Sequence, residues 1–144
     1  MIYNKTMEMK KQTPVKVVAA VIMKDGRVLL AKRRQGDLLA GKWEFPGGKV
    51  DPGETAEEAL KRELHEELDI KAEVSDFICS SCYDYEHLSV ELLAYRVLHI
   101  SGDITPRVHD EVRWVLPDDL CSYEFPAANE EIVRRLSSCR DLYV

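Results

Sequence analysis

Apolar and polar positions along this 144-residue chain follow two different periods. Residues 15–24, VKVVAAVIMK, are almost continuously apolar and rich in Val, the pattern of a strand buried on both faces. Asp25-Gly26 is a hairpin turn signal, and RVLLAKR at 27–33 is the returning strand. Residues 34–48, RQGDLLAGKWEFPGG, carry four glycines and a proline and predict a long loop of the kind that hosts function. The period then changes. Leu60, Leu64 and Leu68 recur every four residues as the buried stripe of a helix, with Thr55 and Glu58 spaced as a capping box at its start. AEVSDFICSSCYDY and LSVELLAYRVLHI, at 72–85 and 88–100, predict two strands joined by a turn near Glu86-His87. EVRWVLP, from 111, predicts another strand ending at Pro117, and PDDL a short helical turn. AANEEIVRRLSSC, from 127, predicts a closing helix with Ile132, Val133 and Leu136 at helical spacing. The expected fold class is mixed α/β, one domain over 15–144 with a mixed sheet between helices, preceded by a loose tail or edge segment at 1–14.

Composition narrows the partners. Apolar residues make up 45% and charged residues 32%, an ordinary globular balance. A formal charge of -6 leaves no broad basic surface for a polymeric nucleic acid, although a small phosphorylated ligand remains compatible through divalent cations. The N-terminal residues lack the continuous apolar stretch of a signal peptide, and no run approaches the roughly 18 apolar residues of a membrane span. The expected location is cytoplasmic. The four cysteines sit at 79, 82, 121 and 139. Cys79 and Cys82 fall on a predicted strand, where residues three apart point to opposite faces, so a redox pair or zinc site there is disfavoured. All four are read as free structural thiols.

The predicted helix poses a problem. Glu63, Glu66 and Glu67 lie at i, i+3 and i+4, converging near the end where the helix dipole disfavours acids. One reading is a solvated acidic face. The other is a set of oxygen ligands suited to Mg²⁺, with Mn²⁺ as a substitute.

The flanking residues favour the second. Gly48, five residues, Glu54, seven residues, then Arg62-Glu63-Leu64-His65-Glu66-Glu67-Leu68-Asp69-Ile70 resembles the Nudix box, matching eight of its nine specified positions. Asp69 stands where the family has Gly; Asp tolerates a left-handed conformation at some cost in stability, and the chemistry should be spared. The resemblance implies an alpha/beta/alpha sandwich holding divalent metal against a diphosphate. Glu66 and Glu67 would be the principal metal-binding acids, Glu63 a third ligand and the Gly48 carbonyl a fourth. Arg62 would hold a box glutamate, and Glu54 would play a supporting part.

Residues 31–50 and 125–136 further resemble MutT-type nucleoside triphosphate pyrophosphohydrolases. Asn129 falls on the position of a base-recognising Asn, and it is equally a candidate helix N-cap. Arg33, with Arg34 beside it, is a candidate contact to phosphate or base. Phe45 and Trp43 are candidate walls of the base pocket, both on one side if the stretch is extended, with Glu44 on the other. A further catalytic acid expected in the late loop falls on Val108 by count, so Glu111 or Asp110 is the candidate to replace it. A substrate-binding Arg of the middle strands falls on Leu88, beside His87. The activity implied is Mg²⁺-dependent hydrolysis of a nucleoside triphosphate to monophosphate and pyrophosphate by a monomer or homodimer. 8-oxo-dGTP is the first candidate substrate and a CTP or dCTP type the second. A non-catalytic nucleotide-binding module is the remote alternative, since the acids are retained.

Overall fold

The computed structural model describes residues 13–36 and 39–137. Strand β1 (Val15–Lys24) is the hub of a seven-stranded sheet. It turns through Asp25 and Gly26, both at positive φ, into β2 (Arg27–Arg33). The loop that follows is more ordered than expected, because it includes two very short strands, β3 (Trp43–Glu44) and β4 (Gly47–Lys49). Helix α1 (Ala56–Leu68) comes next, then the long hairpin of β5 (Lys71–Tyr85) and β6 (Leu88–Ser101). β7 (His109–Val115), a 3-10 turn at Pro117–Ser122, a second at Ala127–Asn129 and helix α2 (Glu130–Leu136) complete the described chain.

β1 runs parallel to β6 and antiparallel to β4, while β2 pairs antiparallel with β3 and β7. The sheet is therefore mixed. Its two faces explain the continuous apolar run of β1. Val18, Ala20 and Ile22 join Leu29 and the Ala59, Leu60, Leu64 and Leu68 stripe of α1 on one side. Ala19 and Val21 join Leu30, Phe45, Phe125, Ile132 and Val133 on the other, beneath α2. Each fully buried aliphatic side chain contributes roughly 1.5–3 kcal/mol, so the helix carrying the acids is anchored by its apolar stripe.

Thr55 caps α1 through the expected box: Thr55 Oγ1 accepts from the Glu58 N–H at 3.1 Å, and Glu58 Oε1 accepts from the Thr55 N–H at 2.9 Å. At the other end Asp69 takes the left-handed conformation expected of it, φ 58° and ψ 38°. Its carboxylate pairs with Arg107 at 2.9 Å. The Thr105 and Arg107 N–H groups donate to the carbonyls of Leu68 and Glu67, satisfying acceptors that a helix end leaves open.

The closing helix differs from expectation at its start, where Ala127–Asn129 forms a 3-10 turn and the α-helix begins at Glu130. Cys79 is buried and Cys82 exposed on opposite faces of β5, both free. Cys121 is disulfide-bonded, which corrects its reading as a free thiol. Cys139, the end of the expected closing helix and nearly all of the expected 1–14 tail lie outside the described residues. Among the described residues, no helix is long and apolar enough to cross a membrane.

Candidate active site

Arg62 organises the loop ahead of α1. Its Nε and Nη2 donate to the two carboxylate oxygens of Glu54 at 2.7 and 2.9 Å. Nη2 also reaches the Lys49 carbonyl at 3.1 Å, and Nη1 reaches Glu63 at 2.9 Å and Glu66 at 3.2 Å. A planar guanidinium can serve so many acceptors only because its donors form a fixed fork. Hydrogen bonds from Arg62 and from the Asp51 N–H lower the Glu54 pKa to about 2. Loop and helix are thus tied by one side chain.

The three helix acids differ in surroundings. Glu66 is largely exposed and Glu63 largely buried, and burial raises the Glu63 pKa although Arg62 opposes the shift. Glu67 is the most perturbed: burial first, then the charges of Glu63, Glu44 and Glu66, raise its pKa to about 8. Its Oε2 is buried without a hydrogen-bond partner. A buried unpaired carboxylate oxygen is costly unless something positive joins it. Nearby, a Cβ added to Gly48 would lie 2.5 Å from Glu63 Oε2, so the glycine lets the Glu63 carboxylate lie directly against the loop. Among the described residues no three acids are yet drawn into a metal-holding arrangement. The donor set nevertheless fits a hard divalent cation: it is all oxygen, carries an orphaned buried ligand atom, and has the Glu63 carboxylate packed against a glycine backbone.

Glu67 and Gly48 line one end of a cavity of about 260 Å³, whose walls also include Arg33, Glu44, Phe45, Leu92 and Asn129. Val17, Arg33, Glu44, Leu92 and Asn129 also line an adjoining apolar cavity of about 400 Å³ that reaches Tyr85, His87, Leu88, Val90 and Pro126. The two form one cleft, acidic at the helix and apolar at the hairpin. Asn129 is 8% exposed, makes no side-chain capping bond and lines both cavities. Its backbone is pinned by its neighbour: Ser81 Oγ donates to the Ala128 carbonyl at 2.6 Å, and Tyr85 Oη accepts from the Ala128 N–H at 3.0 Å. Phe45 stacks on Phe125 with centroids 5.5 Å apart. Leu88 and His87 stand in the apolar wall, where the resemblance placed an Arg.

Three candidate residues are not brought here. Trp43 lines a different cavity, with Arg113 and Tyr123 against its ring. Glu111 is held by Arg113 at 2.6 Å, on the sheet face that carries Trp43 and opposite that of Glu44. Asp110 is also engaged elsewhere, accepting from the Gln35 N–H at 3.2 Å.

The residue missed from sequence is the partner of Glu44. Glu44 Oε1 accepts from Arg33 Nη1 at 2.7 Å, and its Oε2 lies 2.9 Å from Nε2 of His109. Burial would raise the Glu44 pKa, but the His109 hydrogen bond and the Arg33 charge bring it below its ordinary value. Arg33, Arg34, Glu44, Glu67 and His109 line a further cavity of about 260 Å³ beside the acids.

Residues 17–135 match the NUDIX domain family. The CTP pyrophosphohydrolase of Escherichia coli K12 is 35% identical over 126 residues, covering 88% of this chain and 93% of its own. The 8-oxo-dGTP diphosphatase of Haemophilus influenzae is 37% identical over 123 residues, covering 85% and 90%. Among solved structures, that of the E. coli ORF135 protein superposes with a TM-score of 0.80 at 33% identity, covering 92% of this chain and 94% of its own. The MutT NUDIX hydrolase of Burkholderia pseudomallei superposes with a TM-score of 0.77 at 32% identity, covering 88% and 100%.

Proposed function

The chain belongs to the Nudix hydrolase family, and from that premise we propose that it hydrolyses a (deoxy)nucleoside triphosphate to the monophosphate and pyrophosphate with Mg²⁺. The observation that carries this is the cleft itself. A buried, unpaired Glu67 oxygen marks its acidic end, and an apolar chamber with the Asn129 amide lies at the other. That polarity suits a triphosphate with its charge at α1 and its base at the hairpin.

Glu63, Glu66, Glu67 and the Gly48 carbonyl would hold the cation, which when bound polarises phosphoryl oxygens and offsets their charge. Arg62 keeps Glu63 and Glu66 close to the glycine loop until substrate arrives. Arg33 lines both halves of the cleft, where a guanidinium can pair with the phosphate chain. Phe45 and Leu92 exclude water around the base, and the Asn129 amide offers it a donor and an acceptor.

An oxidised purine nucleotide such as 8-oxo-dGTP is the first substrate, in keeping with the several relatives named 8-oxo-dGTP diphosphatase. A cytidine-type substrate is the second reading. It is favoured by the match to the CTP pyrophosphohydrolase and by Leu88 and His87 in the apolar wall. Steady-state kinetics on 8-oxo-dGTP, dGTP, CTP, dCTP and 5-substituted dCTP decide between them. A higher kcat/KM for the cytidine nucleotides displaces the purine reading, and no turnover of any triphosphate with Mg²⁺ ends both.

A further inference from the structure

The His109 side chain is 4% exposed, its Nδ1 is buried without a hydrogen-bond partner, and its Nε2 meets Glu44. Burying an imidazole with one nitrogen unsatisfied costs stability that an apolar residue would not. Such a group persists where its other nitrogen is needed.

The placement comes from a break in the ladder. β2 and β7 pair Lys32 with Glu111 but Arg33 with His109, so Asp110 is the extra residue of a β-bulge. Strict alternation would put His109 on the face of Glu111, beside Trp43. The bulge turns it to the other face, where Arg33 and Glu44 already lie. The chemistry then orders the three. Glu44 is ionised and can only accept, so its contact requires the proton on His109 Nε2. Its other oxygen takes the Arg33 bond.

We propose that His109 is a positioning residue, its Nε2–H holding the Glu44 carboxylate so that Glu44 keeps the Arg33 guanidinium turned into the cleft that receives the phosphate chain. The ion pair thereby acquires a fixed direction: without His109, one Glu44 oxygen loses its donor and the carboxylate can turn toward solvent, weakening its contact with Arg33.

The inference rests on the hydrolase reading, and its test separates the two. In the resting, metal-free protein, ¹⁵N-resolved NMR of the His109 ring should show Nε2 protonated; an Nε2 without a proton overturns the proposal whatever the enzyme's activity. In turnover, His109→Phe should lower kcat/KM by about 10- to 100-fold, the usual cost of losing a hydrogen bond to a charged group. His109→Gln, whose amide N–H can reach the same carboxylate, should recover most of the loss. In a Glu44→Gln background, His109→Phe should cost little more, because neighbours in one network are not additive. Full additivity, or equal losses in the Phe and Gln variants, overturns the proposal. Wild-type turnover of the nucleotide panel stands apart from all of these results and bears on the reaction alone.

Discussion

Glu67→Gln should make the metal-free protein more stable while abolishing its activity. The Glu67 carboxyl has a folded pKa of about 8 against an ordinary 4.5, chiefly through burial. A carboxylate with a raised folded pKa favours the folded state only while protonated. That contribution is fully present below about pH 4.5 and lost as the pH rises through about 8. At about 1.4 kcal/mol per unit, keeping Glu67 protonated in the fold while the unfolded chain ionises costs on the order of 3–4 kcal/mol near neutral pH. Glutamine keeps the shape and removes the charge, so in EDTA near pH 7.5 the variant should melt roughly 5–10 °C above wild type. Near pH 4.5 the two should melt together. Mg²⁺ should close most of the gap: cation bound only by the folded state at a hundredfold excess over its Kd adds about 2.7 kcal/mol. Wild type gains this and the variant loses most of it. The assay is differential scanning fluorimetry across pH with EDTA or Mg²⁺, run beside pyrophosphate release. A variant that melts no higher than wild type in EDTA near pH 7.5 would refute the stored-repulsion argument, and one that keeps wild-type Mg²⁺-dependent turnover would refute the metal assignment.

Gly48→Ala places a methyl group against the Glu63 carboxylate. It should lower kcat/KM about 10- to 100-fold, as shifts next to metal ligands do, with α1 still folded by circular dichroism; an unaffected rate would show that Glu63 is not needed in place. Glu54 works in the opposite sense to Glu67, because Arg62 depresses its folded pKa to about 2. Its contribution is present above the unfolded value and lost as the pH falls from about 4 toward 2, so acid melts should show Glu54→Gln with a shallower loss than wild type. Asp69→Gly removes a left-handed non-glycine residue and an exposed pair with Arg107, two effects of about 1 kcal/mol or less that oppose each other. Its Tm should move by only a few degrees and kcat should stay at the wild-type value; a clear loss of kcat would give Asp69 a role it is not assigned.

What the sequence determined by itself was everything local or periodic. Thr55 and Glu58 announce the start of α1, and Leu60, Leu64 and Leu68 announce its buried face. Once that face is known, Glu63, Glu66 and Glu67 must share the remaining side. The hairpin at Asp25-Gly26 and the opposite faces of Cys79 and Cys82 follow from equally short-range rules. The placement of Asn129 in a cleft was legible only through resemblance, since a cap and a recognition residue look alike in one dimension.

Tertiary structure decided the rest. Alternation correctly sends Trp43 and Phe45 to one side and Glu44 to the other, but it does not say which cavity each side faces. His109 and Glu44 lie 65 residues apart, and no local period connects them. The count along β7 fails at the Asp110 bulge, because one extra residue exchanges the faces of everything beyond it. Glu111 therefore falls on the far side with Arg113, and His109 falls on the near side with Arg33 and Glu44. The helix that carries the acids is written in its own residues; the histidine beside them is placed by a break in strand pairing that only the folded sheet contains.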